Sequence, residues 1–313
     1  MSSSAGPVIG VSGWRRRLED PFNVYYRYPV ALFLVRLLIP TPITPNQISL
    51  SQPVLAAIAG YLISSNDPQR ILLAVAIFEF RSILDCVDGS LARAKKMSSP
   101  NGHAIDAMAD WLGVVFLYVG LLMHFRAYPP QMALGWLGGG PATHVTTTLV
   151  LAASGAQAAL RSFGFDYFKT KYLAIYEKGQ DDSIEGLARK VRSLRARPTL
   201  FGHVDVFIGR FGHAVFEREW FDPDTSTAAL SPSEVDAMSR EQDGPRARFM
   251  GFLWSISGGD AYLSIVMLSI VFGQVWSTQV FFATFGFAWI VAVMIYNVYF
   301  VRTGRRGYAA VAA

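Results

Sequence analysis

Long apolar runs constrain this chain more than any other feature. Six stretches, at about 48–65, 69–93, 103–125, 143–163, 248–272 and 277–300, are each near the length a tilted helix needs to cross a bilayer. Hydrophobic residues make up 52% of the 313 and charged ones only 16%, so the polar residues are gathered into particular segments instead of covering a whole surface. The fold class expected is an all-α membrane protein with six transmembrane helices, preceded by an N-terminal interfacial amphipathic helix. A soluble enzyme is excluded.

An even number of spans puts both termini on one side, and lysine and arginine say which. Arg15, Arg16, Arg17, Arg27 and Arg36 precede the first span, Arg93, Lys95 and Lys96 follow the second, and Arg302, Arg305 and Arg306 follow the last. The opposite connections hold little beyond Arg70 and Arg126. By the positive-inside rule the basic set faces the cytoplasm. The long fourth connection, with Lys169, Lys171, Arg189, Lys190, Arg192, Arg195 and Arg197, falls on that side too. An integral protein of the cytoplasmic membrane follows, and no signal peptide is expected, because no cleavable apolar core stands behind Trp14-Arg15-Arg16-Arg17.

The chain divides accordingly into an arm and interfacial helix (1–47), four spans (48–163), a cytoplasmic polar insert (164–247), two further spans (248–301) and a tail (302–313). Phe22 to Ile39 mixes aromatic, aliphatic and basic residues, and Pro40, Pro42 and Pro45 stop it before a full crossing, which predicts a helix lying on the membrane face. Within the insert, Ser183 to Arg195 reads as an amphipathic helix and Asp222 to Pro245 as exposed loop. Phe201-Gly202-His203 recurs as Phe211-Gly212-His213, a repeat better read as surface structure than as a site. The lone Cys86 allows no internal disulfide and reads as filler.

Acidic residues inside spans are expensive and therefore functional candidates. Four of them, Asp85, Asp88, Asp106 and Asp110, lie within 26 residues. Steps of three and four put Asp85 and Asp88 on one helix face, and Gly102, Asp106 and Asp110 on one face of the next. The turn from Lys95 to Asn101, with Pro100, is short enough to fold the two helices back on each other. All four carboxylates can then converge, and they would repel one another strongly unless a cation neutralised them. Mg²⁺ or Mn²⁺ suits such a donor set, and two such ions about 3.5 to 4 Å apart suit phosphoryl transfer. Gly89, Ala92 and Gly102 are small enough to let a nucleotide approach the backbone, and Arg93 offers a forked donor for a diphosphate. A carboxylate not consumed by metal can take a proton from an incoming hydroxyl.

Asp85 to Asp110 matches D-x2-D-G-x2-A-R-x8-G-x3-D-x3-D at all eight fixed positions. At about 5 to 8% usage per residue type, chance would produce this at roughly one start in 10⁹. In this the chain resembles the CDP-alcohol phosphotransferase (CDP-alcohol phosphatidyltransferase) family, class I. The resemblance extends to the six-helix layout and to the Pro-Asn element in Thr44-Pro45-Asn46-Gln47. It implies that Asp85, Asp88, Asp106 and Asp110 hold two divalent ions and that Asp110 is the base for the acceptor hydroxyl. It also implies that Gly89, Ala92, Arg93, Gly102 and Asn46 take the CDP-linked donor, that CMP leaves, and that the protein is a homodimer acting among membrane lipids without nucleic acid. Thr41–Gln47 and Arg81–Asp110 resemble the branch containing di-inositol-phosphate and phosphatidylinositol-phosphate synthases. Transfer of an aminoalcohol headgroup, choline or ethanolamine, to a lipid acceptor is a second expectation, and a cation-coupled transporter a third.

Other polar positions admit two readings. Glu79 and Arg81 are either members of an intrahelical or helix-pair salt bridge or a polar lining of an acceptor cavity. Asp260, beside Gly258 and Gly259, is either acceptor lining or a helix-packing residue. His103 reads as a solvated histidine at the end of the turn, and Phe281, Phe282, Phe285 and Phe287 as lipid-facing surface.

Overall fold

The computed structural model describes residues 13–97, 102–132, 140–217, 222 and 230–309, without the side chains of 103, 104, 200, 201, 298 and 300–309. Among the described residues it is helical throughout, with a lone β-bridge between Gln131 and Pro141. The helices are α1 (Gly13–Leu18), α2 (Tyr28–Leu38), α3 (Pro45–Ile63), α4 (Pro68–Lys95), α5 (Gly102–Ala127), α6 (His144–Leu173), α7 (Ser183–Ala196), α8 (Leu200–Phe216), α9 (Pro232–Arg240), α10 (Pro245–Ser255), α11 (Gly259–Val271) and α12 (Val275–Ala309). Single π-helical turns precede α2 at Asn23–Arg27 and follow α6 at Ala174–Lys178.

Two of these helices are long and apolar enough to cross a membrane on their own, at Ile105–Ala127 and Val275–Asn297. The interrupted pair α10 and α11 makes a third if counted as one span. Six such helices are not found among the described residues. The reason lies in what α3, α4 and α6 carry: Ser49 and Gln52, Glu79, Arg81, Asp85 and Asp88, and Gln157 and Arg161 lower their mean hydropathy. Most of these groups are buried against protein, where polar side chains in membrane helices belong.

The helix starts follow from local chemistry. Thr44 accepts a hydrogen bond from the Gln47 amide at 3.3 Å while the Gln47 side chain accepts one from the Thr44 amide at 2.9 Å, a reciprocal cap with Pro45 at the first helical position. Asp67 caps α4 by accepting from the Gln69 amide at 2.9 Å, again with proline next. Lys96, at φ 55°, closes α4 in the left-handed region.

The residues fall into two compact units. The first takes in Pro21–Ala158 and Asp260–Phe287. Its core holds Ala56, Ala59, Phe78, Leu117, Leu121, Val266 and Phe282, all buried. Here α3 and α5 touch backbone to backbone: a Cβ on Gly60 would run into the Phe116 carbonyl, and one on Gly120 into the Gly60 carbonyl. Small residues let membrane helices approach so closely. Ser154 and Tyr262 hydroxyls lie 2.8 Å apart, with Tyr118 bonded to Tyr262 and Gln279 accepting from Ser154 at 2.5 Å, which ties α5, α6, α11 and α12 together by polar contacts.

The second unit takes in Ser12–Asp20, Ala159–Gly259 and Ala288–Ala313. An aromatic core of Trp14, Phe165, Phe168, Tyr172, Phe216 and Trp254 holds it. The predicted amphipathic helix of the insert is α7. The expected loop from Asp222 to Pro245 is a correction: Ser231 and Glu234 form a capping box with Pro232 between them, and α9 follows. Residues 218–221 and 223–229 lie outside the described residues. Both Phe-Gly-His copies sit on α8, where His213 is buried and His203 is exposed.

Candidate active site

α4 and α5 carry the site, joined through a turn of which residues 98–101 lie outside the described residues. Carboxylate oxygens of Asp85, Asp88 and Asp106 come within 4.8 Å of one another. Three negative groups this close cost much free energy in a low dielectric unless paired. Asp88 is the best supported of them: its Oδ2 accepts from Ser49 Oγ at 2.7 Å and from Gln52 Nε2 at 2.9 Å, both on α3. Asp85 Oδ1 and Asp106 Oδ1 are buried with no hydrogen-bond partner. Buried carboxylate oxygens are normally satisfied. A trio of carboxylates this close, with two buried oxygens left unpartnered, fits a hard divalent cation, for which oxygen ligands are the preferred donors.

The fourth carboxylate is held differently. Asp110 is ion-paired with Arg81 of α4, whose side chain is almost wholly buried. Arg81 reaches it because α5 has no side chain at Gly113, where a Cβ would sit 3.2 Å from the guanidinium carbon. Of the two forms of salt bridge expected for Glu79 and Arg81, each residue makes the one to another element, and the two do not pair with each other. Glu79 instead accepts from Arg27, Nε to Oε1 at 2.7 Å and Nη2 to Oε2 at 2.9 Å.

Arg27 is thus a buried member of the site unit and not a charge on the membrane face, a correction to the reading of Phe22 to Ile39 as purely interfacial. The π-helical turn aims both Asn23 and Arg27 inward: Arg27 also donates to Asn23 Oδ1 at 3.1 Å and to Ser264 Oγ at 2.9 Å. Asn23 Nδ2 in turn donates to Asp260 Oδ2 at 2.6 Å. Asp260, at the start of α11, lies within electrostatic reach of Arg81, Asp85 and Asp110. The structure therefore brings Arg81 and Asp260 to the carboxylate group.

The expected nucleotide residues sit at the far end of α4 and the starts of α3 and α5. Gly89, Ala92, Gly102 and Asn46 are half-buried and Arg93 is exposed, its Nη2 donating to Ser90 Oγ at 3.1 Å. Lys95 donates to the carbonyls of Thr41 and Ile43, each at 2.7 Å, which fastens the segment leading into Asn46 to the last turn of α4. The side chain of His103 lies outside the described residues. Cys86 is buried and forms no disulfide. In the phenylalanine stripe, Phe282 is a correction: it is 6% exposed and packs edge-on against Tyr262 at 4.7 Å, because its helix turns it to the bundle while Phe281 and Phe285 stay outside.

Ser49 and Gln52 went unnoticed in the sequence. Their signal was available: two polar residues three apart inside an apolar run that otherwise begins at 48. Arg27 and Asn23 carried no such signal, because a π-helical turn changes which residues share a face.

The match to known proteins runs through this pair of helices. Residues 42–175 match the family described as CDP-alcohol phosphatidyltransferase. A ceramide phosphoethanolamine synthase of Drosophila melanogaster is 33% identical over 98 residues, 29% of this chain and 25% of the relative. A bifunctional IPC transferase and DIPP synthase of Rubrobacter xylanophilus is 33% identical over 114 residues, 36% of this chain and 26% of the relative. A cardiolipin synthase (CMP-forming) of Homo sapiens is 35% identical over 78 residues, 25% of each chain. The matched stretches thus span about a quarter of each relative's length. With its apolar helices the chain is an integral membrane protein, and over residues 42–175 it is similar to the CDP-alcohol phosphatidyltransferase family.

Proposed function

We propose that this protein is a CDP-alcohol phosphotransferase of polar-lipid synthesis, which moves a substituted phosphoryl group from a CDP-linked donor to an alcohol and releases CMP. The observation that carries the reading is the trio Asp85, Asp88 and Asp106, with two buried oxygens left unpartnered, inside the segment that matches the family. Two divalent ions of the Mg²⁺ or Mn²⁺ kind, held by these three and Asp110, would supply charge neutralisation at the donor's diphosphate.

The remaining work belongs to the chain. Gly89, Ala92, Gly102 and Asn46 leave room for the cytidine and diphosphate, and Arg93 donates to the phosphate oxygens. Asp110 accepts the proton of the acceptor hydroxyl while that oxygen bonds to the phosphorus distal to cytidine. The bridging P–O bond breaks and its electron pair leaves with CMP. Arg81 fixes the orientation of the Asp110 carboxylate through their ion pair, and Asp260 lines the acceptor side.

We place α3, α4, α5, α6, the α10 and α11 pair and α12 as six spans in the cytoplasmic membrane, with the site open to the cytoplasm, on the distribution of lysine and arginine. A homodimer belongs to the same reading. Between donors, the resemblance of Arg81–Asp110 favours CDP-diacylglycerol with an inositol phosphate or similar polar alcohol. The stretch similar to a ceramide phosphoethanolamine synthase favours a CDP-aminoalcohol with a lipid acceptor. Purified protein given Mg²⁺ or Mn²⁺ and either donor, with and without its acceptor, tests both. CMP release that requires an added alcohol supports the proposal, and the alcohol that works decides the direction. Failure to release CMP with every donor and acceptor pair tried would remove it.

A further inference from the structure

Beyond residue 175, where the family match ends, the chain carries a surface that the reaction does not use. α8 has two apolar faces. One, with Val206, His213 and Phe216 buried, packs inward; its glycines admit neighbouring side chains so closely that a Cβ on Gly209 would stand 2.6 Å from Leu187 Cδ1 of α7. On the other face Val204, Phe207, Phe211 and Val215, spaced three and four apart, are 48%, 60%, 40% and 42% exposed. A helix that packs on one side in water shows polar residues on the other, and a bare apolar stripe marks an interaction surface.

Two further observations say what covers it. The first is level. Phe211 lies 6.3 Å from Phe163, ring to ring, and Phe216 lies 5.4 Å from Phe168. At residues 163–168 the apolar run of α6 gives way to Asp166, Lys169 and Lys171, and with α6 placed as a span, as proposed above, this is the height at which it leaves the hydrocarbon. The second is charge. From Ser183 to Phe216 six basic side chains face two acidic ones, a net of +4, and Arg189, Lys190, Arg192, Arg195 and Arg197 are exposed. An apolar stripe flanked by arginine and lysine suits an anionic lipid leaflet.

We propose that the α7 and α8 hairpin is an in-plane membrane anchor, which lays the Val204, Phe207, Phe211 and Val215 face of α8 into the headgroup region of a leaflet rich in anionic lipid. It holds whether or not the catalytic reading does. Cys86 is buried, so a nitroxide reagent labels an introduced cysteine selectively. Phe207→Cys and, as the aqueous control, Arg192→Cys would each be labelled in the full chain and reconstituted into phosphatidylcholine vesicles with and without phosphatidylglycerol. Label collisions with oxygen and with a water-soluble nickel chelate are then compared. The expected result is an excess of oxygen collisions at position 207 and of nickel collisions at 192, with the excess at 207 growing when phosphatidylglycerol is present. Each of Arg189→Gln and Arg195→Gln should lower the lipid-docked fraction relative to the lifted one by roughly fivefold. Nickel access at 207 equal to that at 192 overturns the proposal. So does spin–spin broadening between two labels at 207, which would assign the stripe to a second copy, and so does indifference to phosphatidylglycerol.

Discussion

Arg81 on α4 and Asp110 on α5 form an ion pair across the two helices that carry the site, and the missing side chain of Gly113 is what lets them meet. Gly113→Ala puts a methyl 3.2 Å from the guanidinium carbon. Arg81 must give by a few tenths of an ångström, and the Asp110 carboxylate that it orients shifts with it. The expected outcome is a fall in kcat of roughly tenfold, in line with the cost of small misplacements at reacting groups, with KM for the donor little changed. Steady-state CMP release measures it.

Asp110→Asn keeps size and hydrogen bonding to Arg81 but cannot take a proton. Turnover should fall by about 10² to 10⁴ while the thermal unfolding midpoint in detergent stays near that of the parent. A near-normal rate would remove Asp110 from its proposed role.

Ser49 and Gln52 orient Asp88 by hydrogen bonds of 2.7 and 2.9 Å. Second-layer contacts of this kind tune metal affinity by roughly 10- to 100-fold. Ser49→Ala with Gln52→Ala should therefore raise the Mg²⁺ concentration needed for half-maximal CMP release by about that factor. The rate at saturating Mg²⁺ should be far less affected.

Arg27 is 2% exposed and makes hydrogen bonds to Glu79, Asn23 and Ser264. Arg27→Ala strands Glu79 and should cost about 3 kcal/mol of stability, the lower end for a broken buried pair because Glu79 keeps some access to solvent. Paired replacement, Arg27→Met with Glu79→Leu, should regain most of the loss. Denaturant unfolding in detergent compares the two.

How much of this could be read from residues alone differs from group to group. The spacing of Asp85, Asp88, Asp106 and Asp110 put three of these carboxylates at one point because helical period alone decides it, and the short turn after Lys95 leaves the helices nowhere else to go. Which cation meets which anion was not legible. Glu79 and Arg81 stand two apart on α4 and face different neighbours, so each finds a partner on another element, Arg27 and Asp110. The spans were legible as apolar runs in α5 and α12. In α3, α4 and α6 the polar groups that serve the bundle's interior also dilute the hydropathy signal. α9 was missed although Ser231-Pro232-Ser233-Glu234 is a helix-start pattern, because the serine, proline and aspartate around it read as loop.

The central claim is that the carboxylates of α4 and α5 gather around divalent cations. Electron paramagnetic resonance of the detergent-solubilised protein titrated with Mn²⁺ tests it without any substrate. The account predicts two ions per chain with spin coupling between them, and loss of that coupled signal in Asp106→Asn with the helical content retained. Mn²⁺ binding in Asp106→Asn equal to that of the parent, or none in the parent, would contradict it.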